Sequence, residues 1–309
     1  MGRNIGIILV PGPPIGPGAG HPAGDGTTVD QPANPARAPD PTGVPVELTV
    51  VAPARDEADN VRPLIEQIGA AMTPTGIGFE FLLVDDASSD GTPDRARALM
   101  GEFPWVRVIS LPAPAGGGGN GQSAAFRVGF AAARGELIGV LDADLQNDPA
   151  DLARMVAHLR DTGADFVQGD RSAARRAGDP WIRQAGSVVG RVFRRMILGD
   201  SIRDTGCSLR VMKREIAQGL PLDFKGMHRF IPVTARHLGY TVVELPVAHR
   251  ARHAGEPKYG LGITQRALPG LIDCFAVRWM SRRRRMPGTP VEHAAPAERP
   301  APSREGATA

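Results

Sequence analysis

Asp142 and Asp144 stand two residues apart at the end of the apolar run 137–141, and Gln146 follows. Side chains two apart on an extended strand point the same way, so the two carboxylates can share one ligand. Oxygen donors with no His or Cys among them suit a hard divalent cation, Mg2+ or Mn2+, which would also hold substrate phosphates. The competing structural job is the turn into the next helix. Asp148, just before Pro149, is placed to cap that helix, which leaves Asp142 and Asp144 without a structural task. A bare Asp-X-Asp triplet is common by chance, so its weight comes from where it stands.

Other polar clusters stand in equivalent places. Asp85 and Asp86 end the run FEFLLV, and Ser88-Ser89-Asp90-Gly91-Thr92 follows. Turn chemistry explains Ser88 to Thr92, with Asp90 and Thr92 capping the next helix. It explains Asp85 less well, and that carboxylate could accept hydrogen bonds from a nucleobase. The run Gly116-Gly117-Gly118-Gly119-Asn120-Gly121-Gln122 has neither phosphate-loop order nor dinucleotide-loop order. It reads as a flexible loop beside the site.

The elements that must position these residues alternate. Strand-like runs at 46–52, 79–84, 106–111, 137–141 and 166–169 alternate with helical patterns at 59–72, 93–100, 122–133 and 149–160. Such alternation predicts an α/β domain with a mainly parallel, Rossmann-like sheet flanked by helices. Further on, 181–198 and 228–238 read as helices, and 208–212 and 241–245 as strands. In an open sheet of this kind ligands bind beyond the carboxyl ends of the strands, where the clusters fall. Carboxylates gathered there repel one another unless a cation or hydrogen-bond donors join them.

Composition sets the limits of the domain. Residues 1–43 and 286–309 are rich in Pro, Gly and Ala and lack apolar periodicity, so both read as disordered tails. The domain is expected over 44–262. No apolar run reaches the roughly 20 residues of a membrane helix, and no signal peptide is read. Cys207 and Cys274 are too few for a disulfide scaffold or a cysteine-rich zinc module; they read as reduced, half-buried thiols of a cytoplasmic protein. The formal net charge of +3 gives no support to a nucleic-acid partner. Within 263–285, however, six arginines stand against Asp273 alone. Leu268, Leu271, Ile272, Phe275, Val277, Trp279 and Met280 are apolar there at roughly helical spacing. This basic amphipathic helix is either an interfacial helix on an anionic membrane or a helix packed on the domain and followed by a solvated basic tail.

Taken in order, VVAPARDEADNV, FLLVDDASSDGT, NGQSAAFRVGF, VLDADLQNDP, the GDR of Gly169 to Arg171, DTGCSLRVMKREI and PVAHRARHAGEPKYG resemble the signatures of family 2 glycosyltransferases of the GT-A fold. The resemblance is to the polyprenyl-phosphate branch, similar to dolichol-phosphate mannosyltransferase, and covers about 46–285. It implies an inverting transfer of a hexose from a GDP- or UDP-linked donor to a polyprenyl phosphate. By the same resemblance Pro53, Arg55, Glu57 and Asp85 match nucleoside-holding positions, and Asp142, Asp144 and Gln146 the metal and diphosphate site. Arg171 matches the arginine after the fifth strand, and Arg210 that of an SGFR-like segment. Arg250, Arg252 and Lys258 match a basic loop near the acceptor phosphate, expected to order when donor and lipid phosphate are both present. The chain departs from the pattern at Arg55 and Asp56, where an aromatic and Asn are usual, and at Pro257, where Ser is usual.

An acceptor phosphate is already ionised at neutral pH, so this chemistry needs no strong general base. It needs cations that bring two anions together and steady the departing nucleoside diphosphate. A soluble or polysaccharide acceptor would instead require a base; His228 could be offered, although GMHRF reads equally as a helix start. The expectation is a peripheral enzyme on the cytoplasmic face of a membrane. Many relatives carry C-terminal membrane helices and none is read here, so an integral-membrane partner is also expected as an option. Composition alone predicts that deleting residues 1–43 changes melting temperature and activity little; a large drop in melting temperature would show a docked segment.

Overall fold

The computed structural model describes residues 45–173, 181–250 and 263–284. The expected tails, the domain boundary at 262, Arg252 and Lys258 lie outside the described residues. Seven strands form one sheet: β1 (Leu48–Ala54), β2 (Phe79–Asp86), β3 (Val106–Leu111), β4 (Leu137–Val140), β5 (Phe166–Asp170), β6 (Arg210–Lys213) and β7 (Val242–Pro246). Their order is β3-β2-β1-β4-β6-β5-β7. The β1/β2, β1/β4, β2/β3 and β5/β7 pairs are parallel. Only β6 runs the other way, antiparallel to both β4 and β5. The central strands are buried almost without interruption, as apolar runs covered on both faces should be.

Helices form a layer on each face. On one side lie α1 (Val61–Met72), α2 (Thr92–Leu99) and α4 (Ala150–Thr162). Helix α1 presents Val61, Leu64, Ile65, Ile68 and Met72 on one stripe, and all are buried. On the other side lies α3 (Gln122–Ala132), whose Phe126 and Phe130 stack with ring centroids 5.3 Å apart. Short α6 (Arg214–Gln218) and α7 (Ile231–His237) join it there. Helix α5 (Trp181–Leu198) packs against α8 (Ile263–Arg283).

Two features differ from expectation for clear reasons. The helix expected over 228–238 is split into a 3-10 turn, Met227–Phe230, followed by α7. A helix begun at 228 would bury Pro232 in its interior, where the ring clashes with the carbonyl four residues back. Starting at Ile231 puts Pro232 in the first turn, where it is tolerated. The second difference is α8, which is not one-sided. Cys274 and Val277 are buried against the domain, while Ile272 (60% exposed), Phe275 (55%) and Trp279 (61%) face outward. Both alternatives for this segment left a mark, a packed face and an exposed apolar one.

The amino end of the sheet is pinned by a single carboxylate. Glu80, on β2 and 3% exposed, accepts Thr49 Oγ1 at 2.8 Å from β1, Arg107 Nη1 at 2.9 Å from β3 and the Arg134 backbone N–H at 3.0 Å. Glu80→Ala removes the one acceptor these donors share. It should destabilise the protein by about 3 kcal/mol, the cost of breaking a buried ion pair. A thermal-unfolding measurement checks this, and a loss under about 1 kcal/mol would contradict the central role given to Glu80.

Candidate active site

The strand order changes direction between β1 and β4, since β2 and β3 extend to one side and β4 to the other. A crevice at such a switch point is where open α/β sheets bind ligands. The loops after β1, β2 and β4 meet there. Among the described residues three non-glycine residues have left-handed backbones: Asp56 (φ 50°), Ala87 (φ 56°) and Leu145 (φ 62°). One lies in each of those three loops. Strain of this kind persists only where surrounding contacts enforce it.

Those contacts are on view. Asp90 Oδ2 accepts the Ala58 N–H and Thr92 Oγ1 accepts the Glu57 N–H, both at 2.9 Å. Asp56 Oδ1 accepts the Ser89 N–H at 2.8 Å, and Ser88 Oγ accepts the Asp56 N–H at 2.9 Å. The segment read as turn and cap chemistry therefore also clamps the loop after β1. Pro53, Arg55, Glu57 and Asp85 are gathered by this clamp, with Ala54 beside Asp85 in the β1/β2 register. Asp85 is 2% exposed and burial raises its carboxyl above the ordinary range, partly offset by bonds from Ser88.

Asp86 is a residue of this crevice whose contacts the sequence reading missed. Its Oδ1 accepts the Asn120 N–H at 2.6 Å and its Oδ2 the Gly121 N–H at 2.8 Å. It thus fixes the end of the glycine run and the start of α3. Gly119 is squeezed in between: a Cβ there would meet Arg55 Nη1 and Asp86 Oδ2 at 2.5 Å each. Glycine is needed at position 119 so that Arg55 and Asp86 can close on the backbone. The doubled Asp after FLLV was the available signal, because one carboxylate per strand face leaves the second to be explained.

After β4, Gln122 Nε2 donates to Asp142 Oδ1 at 3.0 Å, tying the start of α3 to the acidic pair. Asp144 is 8% exposed, and its Oδ1 accepts the Gln146 N–H at 3.1 Å. Asp148 Oδ1 accepts the Ala150 N–H at 3.0 Å, so it holds the start of α4 as expected. Asn147, also missed, is buried. Its Oδ1 accepts the Asp142 N–H at 3.2 Å and Ser208 Oγ–H at 2.8 Å, joining this loop to the one before β6. The donors of Asp142, Asp144 and Gln146 are all oxygens and fit a hard divalent cation. Among the described residues no three His, Cys, Asp or Glu side chains gather into a cage, so such a cation would complete its shell with substrate oxygens.

Two arginines lie within electrostatic reach of Asp142. Arg171, after β5, is held by Asp204: Nε donates to Oδ2 at 2.9 Å and Nη2 to Oδ1 at 3.2 Å. Burial opposes the charge, but these bonds keep the guanidinium above its ordinary value. Arg210 opens β6, where it pairs in register with Val140 at the end of β4. It is 3% exposed; Nε donates to the Ser208 carbonyl at 3.0 Å and Nη2 to the Cys207 carbonyl at 2.7 Å. Its Nη1 is buried with no partner among the described residues. Burial lowers this arginine to about 10.

Arg250 lies elsewhere on the rim. Its backbone N–H reaches the Gln146 carbonyl at 2.9 Å, and its guanidinium bonds Gln67 at 2.9 Å and pairs with Asp148. Arg252 and Lys258 lie outside the described residues. The two cysteines, expected to be half-buried, are fully buried: Cys207 packs beneath Gly169, and Cys274 lies on the face of α8 turned to the domain. Burial pushes the Cys207 thiol up to about 11, so it is an inert packing group.

If Asp86 shapes the loop before α3, Asp86→Ala should weaken ligand binding in this crevice by about tenfold. It should also raise hydrogen exchange at Asn120 and Gly121 while leaving the sheet amides protected. Unchanged exchange at both amides would sink this assignment.

Comparison with known proteins agrees with the geometry. The family model described as Glycosyl transferase family 2 matches residues 49–220. The chain is 34% identical over 246 residues to the dodecaprenyl-phosphate galacturonate synthase of Rhizobium johnstonii, covering 79% of this chain and 70% of that protein. It is 32% identical to the undecaprenyl-phosphate 4-deoxy-4-formamido-L-arabinose transferase of Edwardsiella ictaluri, covering 74% and 67%. Among solved structures, the mannosyltransferase PcManGT from Pyrobaculum calidifontis, in complex with GDP-Man and Mn2+, aligns with TM-score 0.55 at 23% identity over 81% of this chain and 68% of that one. Glucosyl-3-phosphoglycerate synthase from Mycobacterium tuberculosis, with Mn2+, UDP and glucosyl-3-phosphoglycerate, aligns with TM-score 0.54 at 20% identity over 76% and 79%. The likeness to these two is one of fold. The chain belongs to glycosyl transferase family 2, and it is a glycosyltransferase of the GT-A fold related to the polyprenyl-phosphate sugar transferases.

Proposed function

We propose that the enzyme transfers a hexose from a GDP- or UDP-linked donor to a polyprenyl phosphate at a membrane surface, with inversion at the anomeric carbon. The observation that carries this reading is the approach of two arginines, half-buried Arg171 and buried Arg210, to Asp142 of the Asp142/Asp144 pair at one sheet edge. An acidic pair next to two arginines suits a reaction between two phosphate-bearing substrates. The names of the related polyprenyl-phosphate enzymes support the acceptor class.

Asp142, Asp144 and Gln146 would hold Mg2+ or Mn2+, which when bound offsets the negative charge gathering on the leaving diphosphate. Pro53, Arg55, Glu57 and Asp85 line the nucleoside side, with Arg55 in the place of an aromatic. Arg210, with one N–H unspent, is suited to a phosphoryl oxygen. Arg171 is oriented by Asp204 toward the same edge. The acceptor phosphate attacks as an anion, so no residue need take its proton. Arg250, with Arg252 and Lys258, would receive it, and Arg250 must exchange Asp148 for phosphate to do so.

The exposed apolar residues of α5 and α8 support the reading of peripheral membrane contact, for which the cytoplasmic face is the expectation. Val189 and Met196 of α5 are 69% and 74% exposed, next to Ile272, Phe275 and Trp279 of α8. Phe193 and Phe275 join the two helices edge to face at 5.9 Å, and Arg283 lies 5.5 Å over the Trp279 ring. Apolar residues rimmed by arginines suit an anionic bilayer surface. Among the described residues no helix is long and apolar enough to cross a membrane.

The test is sugar transfer from GDP- and UDP-linked hexoses to a polyprenyl phosphate in anionic vesicles, with Mg2+ or Mn2+, against the same reaction with a soluble acceptor. Asp144→Ala should abolish transfer and metal-dependent nucleotide binding while the melting temperature holds. Retention of more than about a tenth of wild-type activity, about 1.4 kcal/mol or less of transition-state loss, would refute the metal assignment. Equal turnover of a soluble acceptor without vesicles would refute the lipid assignment.

A further inference from the structure

His228 is held by one residue through two bonds. Ser123, the second residue of α3, accepts the His228 backbone N–H at 3.2 Å, and its Oγ lies 3.0 Å from Nδ1 of the same histidine. With a lone pair engaged by the backbone N–H, the hydroxyl has its proton left to donate, and Nδ1 is the acceptor in line for it. An accepting Nδ1 puts the ring proton on Nε2. Nε2 has no partner among the described residues and is not among the sealed, unsatisfied atoms. Burial, reinforced by Arg229 and Arg210, depresses the imidazole to about 4, so the ring is neutral at working pH. It is a directed N–H donor, and it does not serve as a base.

Its location gives that donor something to meet. Ser123 follows Gln122, whose side chain holds Asp142 at 3.0 Å. Residues 210 and 212 of β6 share a face, and Met212 packs in the same cluster as Phe126 of α3 and Met227 beside His228. Arg210 is close enough to act on the charge of His228. One side of the sheet edge thus carries two N–H groups without partners among the described residues, Arg210 Nη1 and His228 Nε2.

We propose that His228 is a substrate-binding donor, aimed by Ser123, whose Nε2–H meets an oxygen of the transferred sugar or of the acceptor phosphate in the reacting complex. The proposal rests on the glycosyl-transfer reading above. It replaces the helix-start role that the sequence offered for this residue, and it makes Ser123 a positioning residue.

Two substitutions separate the ring nitrogens. His228→Asn keeps an acceptor where Nδ1 stands, so the Ser123 bond survives while the outward donor is lost. His228→Gln carries its amide N–H to the Nε2 position and gives up the bond to Ser123. The asparagine variant is expected to lose about tenfold or more in kcat/KM, with nucleotide affinity and melting temperature unchanged, and the glutamine variant to stay within about threefold of wild type. A purely structural tie between α3 and the 3-10 turn predicts the reverse order, and that result, or equal losses with a lowered melting temperature, overturns the proposal. Ser123→Ala should lower kcat/KM by a smaller factor than His228→Asn; a larger loss also overturns it. Hydrolysis of the nucleotide sugar without lipid identifies the oxygen. Slowing in the asparagine variant marks the sugar, whereas a normal rate with a raised acceptor KM marks the phosphate. If wild-type protein transfers no sugar to polyprenyl phosphate, the function above fails. The order of the asparagine and glutamine variants in hydrolysis then still decides the role of His228.

Discussion

Negative charge crowded onto one edge of the sheet is the constraint that shapes the rest of the molecule. Asp85, Asp86, Asp144, Asp170 and Asp204 are each under 10% exposed, and Asp142 stands among them. Buried carboxylates are tolerable only when hydrogen-bonded. Each draws a donor to itself: the N–H groups of Ser88, Asn120, Gly121, Gln146 and Ser172, the amide of Gln122, and the guanidinium of Arg171. The loops take the conformations that deliver those donors. The left-handed backbones of Asp56, Ala87 and Leu145 are the strain left over from that arrangement.

The reversed strand β6 matters for the same edge. Parallel strands can bring only their final residues to the carboxyl end. A strand that runs the other way brings its first residues, and here these follow directly on Asp204, Cys207 and Ser208. That is how Arg210 comes to stand against the end of β4, and how Asn147 can hold Asp142 and Ser208 together. The reversal supplies positive charge where six parallel strands had gathered mostly negative.

Much of this was legible in the sequence because it follows from periodicity and from strand ends. The first five strands and four helices fall within a few residues of their expected positions, since their apolar runs are long and bounded by turn residues. The Asp142–Asp144 pair could be singled out in the sequence because it follows directly on the end of an apolar strand. Asp86 and Asn147 were not readable, since they accept hydrogen bonds from loops 35 and 61 residues away in the chain, Asp86 from the Gly121 N–H and Asn147 from the Ser208 hydroxyl. The partnership of Ser123 with His228 spans 105 residues and was hidden for the same reason. Helix α6 has five residues, too few to display a period, and α8 mixes two apolar faces that a single stripe cannot describe.

The double-faced character of α8 has a thermodynamic consequence. An amphipathic segment that coils in water and folds on a surface loses conformational entropy at the moment of contact, and its affinity is lowered by that amount. Here Cys274 and Val277 already anchor the helix to the domain, and Phe193 braces Phe275 from α5. Ile272, Phe275 and Trp279 are therefore presented on a preformed, rigid plank. Whatever apolar surface they meet gains their full burial without a folding step. Under the proposed membrane contact, attachment would need nearly no change in helix content, so circular dichroism would be silent where sedimentation is not.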